Sequence, residues 1–174
     1  MASENTMEEG NLVFDFTRCG NPIKFDEHNN SGLYAVDFFV DREKYLLFLE
    51  VKDYQNPNTP RDQQNDDYKM LISAGIDKES IFTIQMVCKI KDSLLNLYAK
   101  GYVFTKNVVY ILFINFDDLK ADERRQLFEK ISRQIPTGLN NDLFIAFKKI
   151  NFKLVDAKEL KKYGIICTRK SICS

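Results

Sequence analysis

The sequence predicts an α/β fold in which helices flank a mixed β-sheet, on three observations. Residues 34–52 place apolar side chains at alternate positions along two strands joined by a tight turn. Glu79 to Ala99 carries Ile81, Ile84, Val87, Cys88, Leu94, Leu95 and Tyr98 at helical spacing, with Gly101 just beyond as a stop signal. Asn107–Asn115 then runs Val-Val-Tyr-Ile-Leu-Phe-Ile, too uniformly apolar for a strand with one face in water. The tight turn makes an antiparallel pair, and a helix between strands makes a parallel one, so the sheet is expected to mix both.

The remaining elements follow in chain order. Residues 1–10 are acidic with no apolar core, so they read as a flexible tail and not a signal peptide. Leu12–Phe16 is a short strand candidate, Gly20-Asn21-Pro22 a turn, and Ile23–Phe25 an extended piece before a polar loop at His28–Gly32. Asn56–Asp67, with Pro57, Pro60, Gln63 and Gln64, is expected to be an irregular, mobile loop, and Lys69–Ala74 a short helix. Leu119–Gln134 is an amphipathic helix ended by Pro136. Leu143–Phe152 is a strand, Ala157–Tyr163 a short helix and Ile165–Thr168 a last strand. There is no internal repeat, so residues 1–174 are read as one domain.

Composition narrows the function classes. A chain of 174 residues with 44% hydrophobic content, 14 Phe and 8 Tyr buries a substantial core. No apolar run approaches the roughly 20 residues that span a bilayer. Cys19, Cys88, Cys167 and Cys173 show no metal-ligand spacing and read as reduced thiols of a cytoplasmic protein. One histidine, His28, rules out sites built from several histidines and is a poor base for a Ser or Cys nucleophile. The phosphate-cradling motifs G-x-x-x-x-G-K-[ST] and G-x-G-x-x-G are absent. Net charge is zero but unevenly spread: residues 1–80 hold 16 acidic and 8 basic side chains, residues 81–174 hold 9 and 17. Lys148, Lys149, Lys153, Lys158, Lys161 and Lys162 either contact phosphates or solvate an outer surface.

The hairpin carries the chemistry. Its strands run from Tyr34 to Asp41 and from Lys44 to Lys52 with Arg42-Glu43 at the turn, so paired positions sum to 85. Asp37 is then opposite Phe48 and Ala35 opposite Glu50. Tyr34, Val36, Phe38, Val40, Tyr45, Leu47, Leu49 and Val51 share one face, while Asp37, Glu50 and Lys52 share the other. Asp37 and Glu50 become diagonal neighbours, roughly 7–8 Å apart at the backbone. The simpler alternative is an exposed strand face with ordinary surface charges, but Phe39, Leu46 and Phe48 make that face half apolar. Unpaired charges facing inward are costly. A divalent cation resolves that cost, because Mg²⁺ takes one or two carboxylates and completes its shell with waters and phosphate oxygens.

An Asp on one hairpin strand, followed by Glu50-Val51-Lys52 on the next, resembles the PD-(D/E)XK nuclease superfamily. Val36 stands where many members have proline. The resemblance implies a restriction-endonuclease-like central sheet and a nuclease dependent on Mg²⁺ or Mn²⁺, acting on nucleic acid with DNA expected ahead of RNA. Asp37, Glu50 and the Val51 carbonyl would hold the metal, with Glu27 or Asp26 helping, and Lys52 would position or polarise the attacking water. Gln85 and Lys89, one turn apart on the long helix, either assist that centre or form an exposed polar face. A second function class keeps the fold as a binding module without catalysis.

Overall fold

The computed structural model of the protein describes residues 5–27, 32–57, 59–76, 80–135 and 150–170. Its strands are β1 (Thr6–Glu9), β2 (Leu12–Asp15), β3 (Pro22–Lys24), β4 (Phe38–Asp41), β5 (Tyr45–Asp53), β6 (Asn107–Asn115), β7 (Ile150–Val155) and β8 (Ile166–Arg169). Its helices are α1 (Arg61–Ile76), α2 (Ile81–Ala99), α3 (Ala121–Gln134) and α4 (Ala157–Leu160), the last followed by a 3₁₀ turn at Lys161–Tyr163. A five-stranded sheet has the order β3-β4-β5-β6-β7, antiparallel through β5 and parallel from β5 to β7. A second, antiparallel sheet has the order β1-β2-β8. The expected mixed sheet flanked by helices is therefore present. No helix among the described residues is long and apolar enough to cross a membrane.

Two cores cover the two faces of the large sheet, and alternation along each strand divides the side chains between them. Phe39, Leu46, Phe48, Val108, Tyr110, Leu112 and Ile114 meet Leu71 of α1, Phe82, Met86 and Ile90 of α2, and Leu127 and Ile131 of α3. Phe38, Val40, Leu47, Leu49, Val51, Ile111 and Phe113 meet Leu12, Phe14 and Phe16 of the small sheet and Leu160 of α4. Burial on both sides explains why β5 and β6 are apolar almost throughout.

The hairpin register differs from the expected one. Phe38 pairs with Leu49 and Asp41 with Leu46, so positions sum to 87 and the turn is centred on Glu43-Lys44. Arg42 decides this: its N–H donates to the Tyr45 carbonyl at 3.0 Å, and its guanidinium bonds the Tyr45 hydroxyl and the Tyr163 carbonyl. A shift of two in the sum keeps parity, so the two faces survive. Val36 does not share the face of Phe38, as the alternation suggested. β4 begins only at Phe38, and Val36 lies in the helix-side core with its N–H on the Ser93 hydroxyl of α2.

Two further expectations are corrected. Residues 5–10 are not a loose tail: β1 pairs with β2 across a Gly10-Asn11 turn, and Gly10 has φ +55°, the conformation glycine supplies in such hairpins. Most of the expected Asn56–Asp67 loop is the first half of α1, whose Gln64 N–H bonds the Pro60 carbonyl. Its polar sequence hides a helix that docks on α2 and α3 through Leu71. On α2 the buried stripe is Phe82, Met86, Val87, Ile90, Leu94 and Leu97, whereas Ile81, Ile84, Leu95 and Tyr98 are exposed. The helix ends as Gly101 signalled: with Gly101 at φ +82°, its N–H bonds the Tyr98 carbonyl and the Tyr102 N–H bonds the Leu97 carbonyl. α3 starts two residues later than expected. The described strand β7 runs on to Val155, and residues 143–149 of the strand expected there, with Lys148 and Lys149, lie outside the described residues, as do His28, Pro136 and Cys173.

Candidate metal centre

Asp37 stands one residue before β4, opposite Glu50 in the continued register, on the face covered by α2. Its side chain is held by the backbone of the neighbouring strand: the Val51 N–H donates to Asp37 Oδ2 at 2.6 Å. Glu50, between Leu49 and Val51 in the middle of the double-covered strand β5, is 0% exposed. Lys52, two residues on, points the same way, and its Nζ lies 2.8 Å from Glu50 Oε1. Val51 itself faces the opposite core, among Leu49 and Phe113. The structure thus brings Asp37, Glu50 and Lys52 together on one side of the sheet.

Lys89 joins them from α2. Its Nζ lies 2.8 Å from Glu50 Oε1 and 3.5 Å from Asp37 Oδ1, so it spans both carboxylates, whereas Lys52 reaches only Glu50. Glu50 Oε2 is buried with no hydrogen-bond partner among the described residues. Gln85, one turn earlier on α2, is exposed, and among the described residues it is Lys89, not Gln85, that pairs with the carboxylates from this helix.

A second acidic group flanks Asp37. Carboxylate oxygens of Glu9, Asp26 and Asp37 lie within 4.8 Å of one another. β1 supplies Glu9, and the turn after β3 supplies Asp26. Glu27 lies apart: it pairs with Lys24 at 2.9 Å on the surface, while its N–H bonds Asp26 Oδ1. Glu9 was invisible to the sequence reading because residues 1–10 looked like a tail. The one available signal was Gly10-Asn11 between two short polar-apolar segments, a hairpin turn pair.

Burial dominates the electrostatics of these groups. It pushes Glu50 up to about 7, Asp37 adds to the rise, and Lys52 and Lys89 oppose it. Asp37 is raised by the same desolvation, against the pull of Lys89, the Val51 N–H and Lys52. Glu9 is raised by burial and by Asp37, with Lys24 opposing. Burial pulls the Lys89 ammonium down, but Glu50 and Asp37 outweigh it and hold the group above its ordinary value. Tyr110, whose hydroxyl donates to the Met86 carbonyl at 3.0 Å, is raised by burial and by both carboxylates, so it stays a neutral wall.

The donor set suits a hard divalent cation. Every side-chain ligand on offer is a carboxylate, one buried oxygen is unpartnered, and burial raises Glu9, Asp37 and Glu50, a cost that a bound cation offsets. An octahedral Mg²⁺ with ligands at roughly 2.1 Å sets adjacent oxygens about 3 Å apart and opposite ones about 4.2 Å apart, so Glu9, Asp26 and Asp37, whose oxygens lie within 4.8 Å of one another, would draw closer around it. A separate cleft of 460 Å³ opens at the ends of β6 and β7, lined by Ile114, Asn115, Leu119, Arg124 and Asp156 among others. It connects to β5 through Asn115, whose side chain donates to Asp53 at 2.7 Å. Compared with family models, curated proteins and solved structures, the chain finds no match in any of the three.

Proposed function

We propose that the protein is a Mg²⁺- or Mn²⁺-dependent nuclease of the PD-(D/E)XK type, hydrolysing phosphodiester bonds of nucleic acid, with DNA the first substrate to try and the cytoplasm the expected compartment. The observation that carries this reading is the convergence of the buried carboxylates of Asp37 and Glu50 with the half-buried Lys52. In this cluster, Asp37 and Glu50 would hold the cation, aided by the Val51 carbonyl, while Asp26 and Glu9 extend the acidic wall. The cation supplies charge stabilisation at the phosphate and lowers the cost of ionising the attacking water. Lys52 orients that water and its fixed positive charge steadies the developing negative charge. The Val51 N–H keeps Asp37 Oδ2 in place, leaving Oδ1 to face the centre.

One observation favours a second reading, a binding module without catalysis: Lys52 and Lys89 match the two carboxylates charge for charge. Incubation of the protein with Mn²⁺ and a panel of single- and double-stranded DNA and RNA separates the two. Cleavage abolished by Asp37→Asn supports the nuclease. Binding of nucleic acid or protein partners without any Mn²⁺-dependent cleavage supports the module.

A further inference from the structure

We propose that Lys89 is a tethered cation that competes with the metal for the Asp37–Glu50 pair and must swing away before the centre loads. The inference rests on the metal-site reading above and adds a gate to it. Lys89 Nζ stands where a bridging cation would stand, at 2.8 Å from Glu50 Oε1 and 3.5 Å from Asp37 Oδ1. A divalent ion at roughly 2.1 Å from the same oxygens would sit against the ammonium, and like charges at that separation repel strongly in a buried site. The two cannot share the position.

Two features single out Lys89 instead of Lys52 as the competitor. Lys89 alone touches both carboxylates. It comes from α2, so its withdrawal leaves β5, which carries Glu50, in register. Its side chain, 19% exposed, keeps a way out to solvent along its flexible four-carbon stem. Lys52 stays on Glu50 Oε1 as the group that serves the reaction. Glu50 Oε2, without a partner, offers the first foothold for the incoming ion.

Mn²⁺ binding by calorimetry, on the wild type and Lys89→Met at about pH 8.5, tests this. That pH lies above the raised Glu50 value, so protonation does not mask the effect. Removing the competitor is expected to tighten Mn²⁺ binding roughly tenfold or more, a step of about 1.4 kcal/mol. In the wild type, saturating Mn²⁺ is expected to raise the acetylation rate of Lys89 several-fold, read by mass spectrometry against exposed Lys91 as the internal standard. Equal or weaker Mn²⁺ binding by Lys89→Met, or an unchanged Lys89 acetylation rate, overturns the gate while the metal centre stands. No Asp37-dependent Mn²⁺ binding by either protein overturns the metal centre and the gate together. Should Lys89→Met fail to fold, the acetylation arm decides alone.

Discussion

Glu50→Gln should change how stability depends on pH more than it changes stability itself. Glu50 is fully buried, and its carboxyl is raised from the ordinary 4.5 to about 7. A carboxyl raised on folding favours the folded state most fully below pH 4.5, and that contribution is lost as pH rises to about 7. Across that gap, at about 1.36 kcal/mol per pH unit, the wild type should lose about 3 kcal/mol from this group. Glutamine does not titrate. Asp37 moves in the same direction in both proteins and largely cancels in the difference. Urea unfolding of both proteins without divalent metal, at half-unit steps from about pH 4.5 to 8, reads that difference directly. Only the slope matters, because the glutamine amide also leaves Lys52 and Lys89 with a weaker acceptor. Saturating Mn²⁺ should reverse the wild-type trend above about pH 7, since the ion binds the ionised carboxylate. Parallel pH profiles, differing by a constant within about 0.5 kcal/mol, would refute burial as the source of the shift.

Lys52→Ala should lower hydrolysis by orders of magnitude yet leave Mn²⁺ affinity within a few-fold, whereas Glu50→Ala should lose both, as single-turnover assays beside calorimetry would show. Asp26→Asn and Glu9→Gln should each weaken Mn²⁺ binding, and Glu27→Gln should not, because only the first two carboxylates reach Asp37. An equal effect of Glu27→Gln would mean that the ion sits elsewhere. Gly164→Ala should destabilise the protein by about 2 kcal/mol or more in urea melts. Gly164 has φ +80°, and an added Cβ would lie 2.7 Å from the Arg18 carbonyl oxygen.

The parts of the fold legible in the sequence are those set by local alternation. Asn107–Asn115 matched its observed bounds because a strand covered by two cores is apolar almost throughout. The shared face of Asp37, Glu50 and Lys52 was also readable, since it depends on parity alone. The register was not, because it turns on Arg42 reaching Tyr163, a contact far away in sequence. Of α1 only the stretch Lys69–Ala74 was expected as helix, and its first half was missed for a related reason: a segment rich in Asp, Asn and Gln shows no periodic face, and docking through Leu71 is a tertiary event. Lys89 left a faint trace as one of two polar residues a turn apart. Only the packing of α2 distinguishes it from Gln85.

The small sheet has a consequence for the order in which the protein is completed. Among the described residues β1, which carries Glu9, is paired only with β2, and the other edge of β2 is filled by β8. Lys170, just past β8, reaches back to Glu8 at 2.7 Å. During synthesis, then, the β1-β2 ribbon emerges before β8 and lacks that neighbour until the residues between them have been delivered. A two-stranded ribbon alone is marginal in water. Asp37, Glu50 and Lys89 all precede β7 in the chain, whereas the sheet that holds Glu9 is complete only once β8 has joined it. A nascent chain would therefore carry an incomplete centre, and the last strand would act as the clasp that finishes it.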